Sequence, residues 1–368
     1  MRVAHLDTGR GWRGGQAQVR FLLRGLRARG HDCLLLAPPG PLAERARAEG
    51  FAVLDWAPRG EWDLGAAWRA ARLLRAFAPH VAHCHSAHAH ALGVPAARRA
   101  GVPVVVVSRR VDFAVAGNPL SRLKYRMPVD RYLCISRGVV EVMRSGGVPQ
   151  ARLALVPSGI ELPAADAVAP RAAADLRAAL GAPPDAPVVG TVAALAPHKD
   201  HANLLEAAAL VVRARPDVRF AWLGEGECRA ALERRRAALG LAGHVHLLGF
   251  RGDALDLLRQ FTVFCLASHL EGLCTSLLDA QSLGVPVVAT AVGGVPDVVE
   301  DGVSGRLVPG GDPAALARAL LEALTRADLS RAWAEQARVT VRRFSADHMV
   351  ERTLEEYRSA LRGRGVVA

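Results

Sequence analysis

Short apolar runs alternate with longer segments of helical spacing along most of the chain. The runs are rich in Val, Leu and Ala, which is typical of buried parallel strands. They predict a first series of strands at residues 2–7, 33–37, 52–54, 81–85, 104–108, 132–136 and 154–157. A second series follows at residues 188–193, 218–223, 244–248, 263–266 and 286–290. This alternation predicts an α/β fold with two doubly wound, Rossmann-like parallel sheets.

A Pro- and Ala-rich stretch separates the two series and predicts a linker. It covers residues 160–170, I-E-L-P-A-A-D-A-V-A-P. We therefore expect an N-terminal domain at residues 1–165 and a C-terminal domain at residues 166–344, followed by a last helix at residues 346–361. With 368 residues, the chain is long enough for each domain to have its own core.

Composition excludes several classes of protein. No apolar run reaches the length of a membrane span and the start of the chain lacks a signal-peptide core, so we expect a cytoplasmic protein. The six cysteines form no C-x-x-C pair, which predicts reduced core thiols. The formal charge of +12 is compatible with binding to nucleic acid, to an anionic membrane or to phosphate-bearing substrates. No nucleic-acid module is present, so we expect no nucleic-acid partner and keep the membrane surface open.

A glycine-rich turn after the first strand resembles a dinucleotide-binding motif but lacks its partner acid. Residues 9–14, G-R-G-W-R-G, match G-x-G-x-x-G. A dinucleotide fold also needs an acid at the carboxyl end of the next strand. That end is Ala37, and Asp32 lies at the opposite end. The sequence therefore argues against NAD binding.

The segment from Ser268 to Gly305 carries the most specific chemical pattern. Glu271 lies in a loop, and Cys274-Thr275-Ser276 offers capping residues for a helix that ends before Gly284. A helix start behind a strand is an anion site. Asp279 lies about one turn inside, roughly 6 Å further along the axis. A diphosphate at the helix start would thus have one carboxylate near each end, as a nucleotide-sugar requires. The alternative is that Glu271 is an ordinary loop charge and Asp279 a solvated helix residue.

The sequence E-G-L-C-T-S-L-L-D-A-Q-S-L-G-V-P-V-V-A-T-A-V-G-G-V-P-D-V-V resembles the donor site of the retaining glycosyltransferases of family 4, group 1. That resemblance implies a GT-B fold, in which two Rossmann-like domains face across a cleft and a C-terminal helix, here residues 345–368, packs back on the first domain. It implies that Glu271 contacts the donor sugar and Asp279 the ribose. The other implied donor-binding residues are Gly14, Gly15, Gly224, Phe250, Arg251, Gly272, Leu273, Cys274 and Thr275.

Lys199 follows the first strand of the second series, in G-T-V-A-A-L-A-P-H-K-D-H. A lysine at the carboxyl end of such a strand can stabilise a leaving diphosphate. The family 4 glycosyltransferases that this chain resembles pair such a lysine with an arginine, but Ala194 occupies the matching position here. His198 or Arg13 could replace that cation.

Four histidines within eight residues raise the question of a metal site. They lie in V-A-H-C-H-S-A-H-A-H as His83, His85, His88 and His90. No acid or cysteine completes a tetrahedral set at standard spacing, so we expect no metal and no other cofactor. The resemblance implies that His85 or His88 contacts the donor sugar and the acceptor, and His85 is slightly favoured.

Arg109 and Arg110 follow a predicted strand and are candidates for binding an anionic acceptor, since Arg suits bidentate recognition of phosphate. Ordinary loop charges would explain them equally well. The expected activity is transfer of a sugar from a nucleotide-sugar to an acceptor hydroxyl, with retention, on a lipid-linked or cell-envelope glycan such as lipopolysaccharide. The alternatives are a sugar-nucleotide 2-epimerase of the same fold and a non-catalytic adaptor that binds polyanions.

Overall fold

A computed structural model describes residues 1–115, 119–163 and 175–366 of the chain. They form two compact units: residues 1–159 with 344–368, and residues 160–343. The predicted linker, residues 160–170, lies partly outside the described residues.

The first unit contains a seven-stranded parallel sheet with the order β3-β2-β1-β4-β5-β6-β7. Its strands are β1 (Arg2–Leu6), β2 (Asp32–Ala37), β3 (Ala52–Asp55), β4 (Val81–Cys84), β5 (Val104–Arg109), β6 (Arg131–Cys134) and β7 (Leu153–Leu155). The helices are α1 (Gly14–Ala28), α2 (Pro41–Ala48), α3 (Leu64–Phe77), α4 (Ala87–Arg99), α5 (Pro119–Arg126) and α6 (Arg137–Ser145). Strand order reverses between β1 and β4, where open α/β sheets bind their ligands.

The second unit repeats this order in a six-stranded parallel sheet, β10-β9-β8-β11-β12-β13. Its strands are β8 (Val188–Val192), β9 (Arg219–Leu223), β10 (Val245–Gly249), β11 (Val263–Leu266), β12 (Val287–Thr290) and β13 (Arg306–Val308). The helices are α7 (Leu176–Ala179), α8 (His201–Ala214), α9 (Arg229–Ala238), α10 (Ala254–Leu258), α11 (Thr275–Ser282), α12 (Pro313–Thr325) and α13 (Ala327–Thr340). The switch point lies between β8 and β11.

The final helix, α14 (Ala346–Gly363), belongs to the first unit. The side chain of Ser345 caps it by accepting a hydrogen bond from the backbone of His348. Val350, Leu354 and Tyr357 are buried in a core shared with α1 and with the central strands. Burial of each such side chain contributes roughly 1.5–3 kcal/mol, so this helix is an integral part of the first core.

Local capping explains where several other helices begin. Ser and Asp side chains accept hydrogen bonds from backbone N–H groups of the first turn, which would otherwise lack partners. The capping residues are Asp63 for α3, Ser86 for α4, Ser136 for α6, Asp200 for α8 and Asp312 for α12. No helix among the described residues is long and apolar enough to cross a bilayer.

Candidate functional site

Two loops of the second unit bring Lys199 and Glu271 together. Lys199 ends a short 3₁₀ helix after β8, and Glu271 lies in the loop after β11. The backbone N–H of His269 donates to the carbonyl of His198 at 3.0 Å, which joins the two loops. The Nζ of Lys199 donates to Oε2 of Glu271, and both side chains are largely buried. The switch point therefore holds an opposite pair of charges.

Helix α11 begins beside this ion pair without a side-chain cap. The sequence predicted capping by residues 274–276, but the N-cap residue, Cys274, makes no capping hydrogen bond. The Oγ of Ser276 donates instead to the carbonyl of Val192, at 2.6 Å, and so ties α11 to the end of β8. The start of α11 therefore keeps the partial positive charge that attracts anions. The lining residues Gly272, Leu273 and Cys274 are buried, and Thr275 is half-buried.

Asp279 lies on the fifth residue of α11 and is half-buried. Burial raises the pKa of its carboxyl to about 7, because removal from water penalises the charged form. A ribose hydroxyl that donates to this group would favour the carboxylate and reverse part of that cost. Asp279 is thus poised to titrate at neutral pH.

Two glycines at the end of β9 let backbone meet backbone. Gly224 has φ +150°, and a Cβ there would lie 1.9 Å from the carbonyl oxygen of Ala193. A Cβ on Gly226 would lie 2.4 Å from the carbonyl oxygen of Leu195. Only glycine fits such an approach without displacing the main chain. The turn therefore supports the loop that leads to Lys199.

The base side of the predicted donor site carries an exposed ring. Phe250 follows β10 and is 72% exposed. Arg251 donates twice to the carboxylate of Asp253, which holds it on the protein surface. Ala194 is exposed, so the position where the resembling family carries an arginine opens to solvent. His198 lies in the same loop, whereas Arg13 lies in the other unit.

The first unit places histidines at its own switch point. His5 on β1 is paired in register with His83 on β4, and His85 follows two residues later on the same face. Ring nitrogens of these three buried residues lie within 4.8 Å of one another. His88 is exposed in the first turn of α4, and His90 is buried beside Tyr125 and Tyr132. His5 was not among the residues predicted for the site, and the pairing of β1 with β4 identifies it.

The glycine-rich turn of the first unit is fixed by Asp7, a residue that was not predicted for the site. The carboxylate of Asp7 accepts from the backbone of Thr8 at 2.8 Å and from the side chain of Gln16 at 2.8 Å. Gly14 and Gly15 begin α1, whose N-cap residue makes no capping hydrogen bond. The buried carboxylate of Asp7 after β1 therefore orders the turn that leads into α1.

The two candidate acceptor arginines have different environments. Arg109 donates to the hydroxyl of Tyr125 at 2.8 Å and to the carbonyl of Phe113 at 2.5 Å, so it braces the segment after β5. Nη2 of Arg110 lies 3.4 Å from Nδ1 of His85. Arg110 thus faces the histidines of the same unit.

Residues 12–163 match the family described as Glycosyltransferase Family 4, and residues 173–340 match the family described as Glycosyl transferases group 1. A D-inositol 3-phosphate glycosyltransferase of Corynebacterium urealyticum is 32% identical over 269 residues, which is 67% of this chain and 63% of that protein. The lipopolysaccharide core biosynthesis glycosyltransferase LpsE of Rhizobium meliloti is 32% identical over 180 residues, 49% of this chain and 52% of LpsE. The chain thus spans between half and two thirds of these relatives.

The crystal structure of Anabaena Alr3699/HepE in complex with UDP and glucose superposes with a TM-score of 0.83 at 19% identity. The match covers 98% of this chain and all of that chain, 100%. This similarity confirms the predicted GT-B class, with two Rossmann-like domains.

Proposed function

The chain belongs to the family 4, group 1 glycosyltransferases, and on this basis we propose that it transfers a glycosyl group from a nucleoside diphosphate-sugar to an acceptor hydroxyl. The observation that carries the proposal is the Lys199–Glu271 pair at the switch point, next to the uncapped start of α11. A diphosphate is the ligand class that such an arrangement favours.

Each residue of the site has a distinct proposed task. The ammonium of Lys199 and the N–H groups of α11 stabilise charge that develops on the leaving diphosphate, where preorganised donors lower a barrier most. Glu271 accepts hydrogen bonds from the donor sugar, and Asp279 accepts them from the ribose. Phe250 and Arg251 flank the base. We propose that no metal is needed, because a cation and a helix start already face the diphosphate.

We propose that the first unit binds the acceptor, with His85 or His88 contacting it, as the resemblance to the family implies. We propose retention of configuration by attack on the face that the diphosphate leaves, with a phosphate oxygen taking the proton of the acceptor hydroxyl. The formal charge of +12 and the relatives' names support an acceptor that carries phosphate or belongs to a lipid-linked or cell-envelope glycan.

An exposed apolar patch supports peripheral contact with an anionic membrane. We define the α3 patch as Trp62, Leu64 and Trp68, which are 69%, 77% and 51% exposed. Exposed arginines flank it at Arg59 and Arg69. Tryptophan beside cations is typical of the interface of an anionic bilayer. We expect the double variant Trp62→Ser, Trp68→Ser to sediment less with phosphatidylglycerol-containing vesicles. Val339 is exposed in the other unit, so Val339→Ser should sediment like the wild type. Equal binding by both variants would refute the contact.

The donor is tested by thermal shift with UDP-, GDP- and ADP-sugars. At least one should stabilise the wild type, and the shift should shrink in Glu271→Ala but persist in the control Glu335→Ala, an exposed acid of α13. No stabilisation by any of them would favour the polyanion-binding adaptor.

Product analysis separates the two enzymes. A 2-epimerase would convert the sugar-nucleotide without an acceptor, whereas a glycosyltransferase releases nucleoside diphosphate only as glycoside forms. The anomeric proton coupling of early product tests retention, and turnover in excess EDTA tests metal independence.

A further inference from the structure

Three buried histidines on and after the neighbouring strands β1 and β4 form a network whose proton positions follow from their hydrogen bonds. His5 and His85 have stacked rings 5.3 Å apart, and His83 and His85 have rings 3.9 Å apart. Nδ1 of His5 lies 3.0 Å from Nε2 of His85. Burying three imidazoles side by side is costly unless each proton has a defined place.

Arg110 sets the direction of the network, because a guanidinium can only donate. Its Nη2 lies 3.4 Å from Nδ1 of His85, so that nitrogen is the acceptor and the His85 proton resides on Nε2. This Nε2–H then donates to Nδ1 of His5. The His5 proton consequently resides on its own Nε2, a buried atom without a hydrogen-bond partner among the described residues.

His83 supports this arrangement without fixing it. Its Nδ1 lies 2.6 Å from the hydroxyl of Tyr357, and its Nε2 lies 2.8 Å from the hydroxyl of Ser108. Hydroxyl groups donate or accept equally well, so His83 can adopt either tautomer. Both of its ring nitrogens are nevertheless occupied.

Burial is the main reason that the three rings stay neutral. Burial, and then the neighbouring His83, His5 and Arg110, hold the pKa of His85 well below its ordinary value. Burial lowers the pKa of Arg110 to about 10, with Asp7 and Tyr357 opposing the shift, so Arg110 stays charged at neutral pH. A protonated His85 would therefore face a fixed cation at short range.

We infer that Arg110 is a positioning residue that locks His85 as the neutral Nε2–H tautomer through the chain Arg110 to His85 to His5. Both ring nitrogens of His85 are then occupied, because Nδ1 accepts from Arg110 and Nε2–H donates to His5. His85 therefore does not act as a general base. The consequence for turnover rests on the proposed function; the tautomer itself does not.

A metal ion is the competing explanation for three clustered histidines. The charge of Arg110 beside His85 opposes a second cation, and no carboxylate is hydrogen-bonded to these rings among the described residues. A metal would also displace hydroxyl partners from His83. One equivalent of zinc or another transition metal in the purified protein, by elemental analysis, would overturn the inference.

The tautomer can be measured directly on the full chain with ¹⁵N-labelled histidine. Two-bond and three-bond proton–nitrogen couplings should show Nε2–H and an unprotonated Nδ1 for both His5 and His85. Variant His5→Gln, whose amide oxygen can still accept from His85, should preserve the His85 pattern, and Arg110→Met should weaken it. An Nδ1–H pattern for His85 in the wild type would refute the relay.

Controls separate positioning from folding. Arg144→Met removes an exposed arginine of α6, paired with Glu141 in the same unit, and should leave every histidine resonance unchanged.

In turnover assays, Arg110→Met should reduce kcat about tenfold, which corresponds to the loss of one hydrogen bond, and Arg110→Lys should partly restore it. The wild-type and His85→Gln pH–rate profiles should have the same shape, because His85 does not titrate in the working range. A step near the pKa of histidine that is present in the wild type and absent from His85→Gln would also refute the inference. Absence of all turnover would refute the proposed function and leave the spectroscopic result standing.

Discussion

The two sheets share one strand order, yet their switch points are built from different chemical groups. In the first unit, neutral rings and one arginine bond to each other, and Asp7 fixes the glycine turn through its side chain. In the second unit, two glycines bring main chain against main chain after β9, and the charges belong to Lys199 and Glu271. In the proposed function, the second unit binds the diphosphate that every donor shares and the first unit binds an acceptor that differs between enzymes. This difference predicts that substitutions in the two units affect different steps.

The largest expected effect comes from removing the cation of the second switch point. Lys199→Ala deletes the ammonium that would face the leaving diphosphate and leaves the largely buried Glu271 without its ion-pair partner. Loss of one preorganised donor reduces kcat by about 10²–10³-fold. Steady-state kinetics with the cognate donor measures this.

Two variants calibrate that result. Lys199→Arg keeps the charge and should retain part of the activity. Arg235→Ala breaks an exposed ion pair with Glu206 in the same unit and should leave kcat within about twofold, since exposed pairs are worth little. Full activity in Lys199→Ala would remove the lysine from the proposed mechanism.

The next effect compares the glycine turns of the two units. In Gly224→Ala, the new Cβ would meet the main chain of Ala193 at a φ of +150°, so we expect a loss of about 1–3 kcal/mol in stability. In Gly11→Ala, nothing lies within 4 Å of the new Cβ, and the change should stay within about 0.5 kcal/mol.

Denaturant unfolding with a probe in each unit tests the pair, and diphosphate binding should weaken only for Gly224→Ala. Equal destabilisation by both substitutions would mean that the first turn is as tightly packed as the second.

Much of this architecture is predictable because buried parallel strands leave a strong local pattern. The predicted strand at residues 263–266 coincides with β11, since Val263–Leu266 is apolar on both faces. The short strand β13, Arg306–Val308, was not predicted, because three residues with one charge resemble a loop until β12 supplies the hydrogen bonds.

The candidate sites divide in the same way. Glu271 and Asp279 stand out at a fixed spacing along one loop and helix. The partnership of Arg110 with His85 and His5 depends on strand register and on side-chain direction, which no local pattern encodes. The predicted capping role of Ser276 was wrong for a related reason. Its hydroxyl donates to the carbonyl of Val192, which is distant in sequence, and does not cap its own helix.

The smallest expected effect is a pH dependence of stability and of donor binding. It should arise from the carboxyl of Asp279 on α11 and not from the neutral histidines of the first unit. Burial raises the pKa of Asp279 to about 7, so its folded-state pKa lies above the unfolded value, and the free energy of folding that it contributes is lost as pH rises through 7. We expect donor binding to have the opposite sign, because in the proposed function the ribose hydroxyls donate to the carboxylate.

The dissociation constant of the nucleoside diphosphate should therefore fall roughly tenfold between pH 6 and pH 8, since with a pKa of about 7 the ionised fraction of Asp279 rises from about one tenth to about nine tenths. Asp279→Asn should flatten this dependence and weaken binding at pH 8 only. His85→Gln serves as the control, because His85 stays neutral across this range and its loss should leave the slope unchanged. Isothermal titration at three pH values measures all three proteins, and a slope that survives in Asp279→Asn would assign the titration to another group.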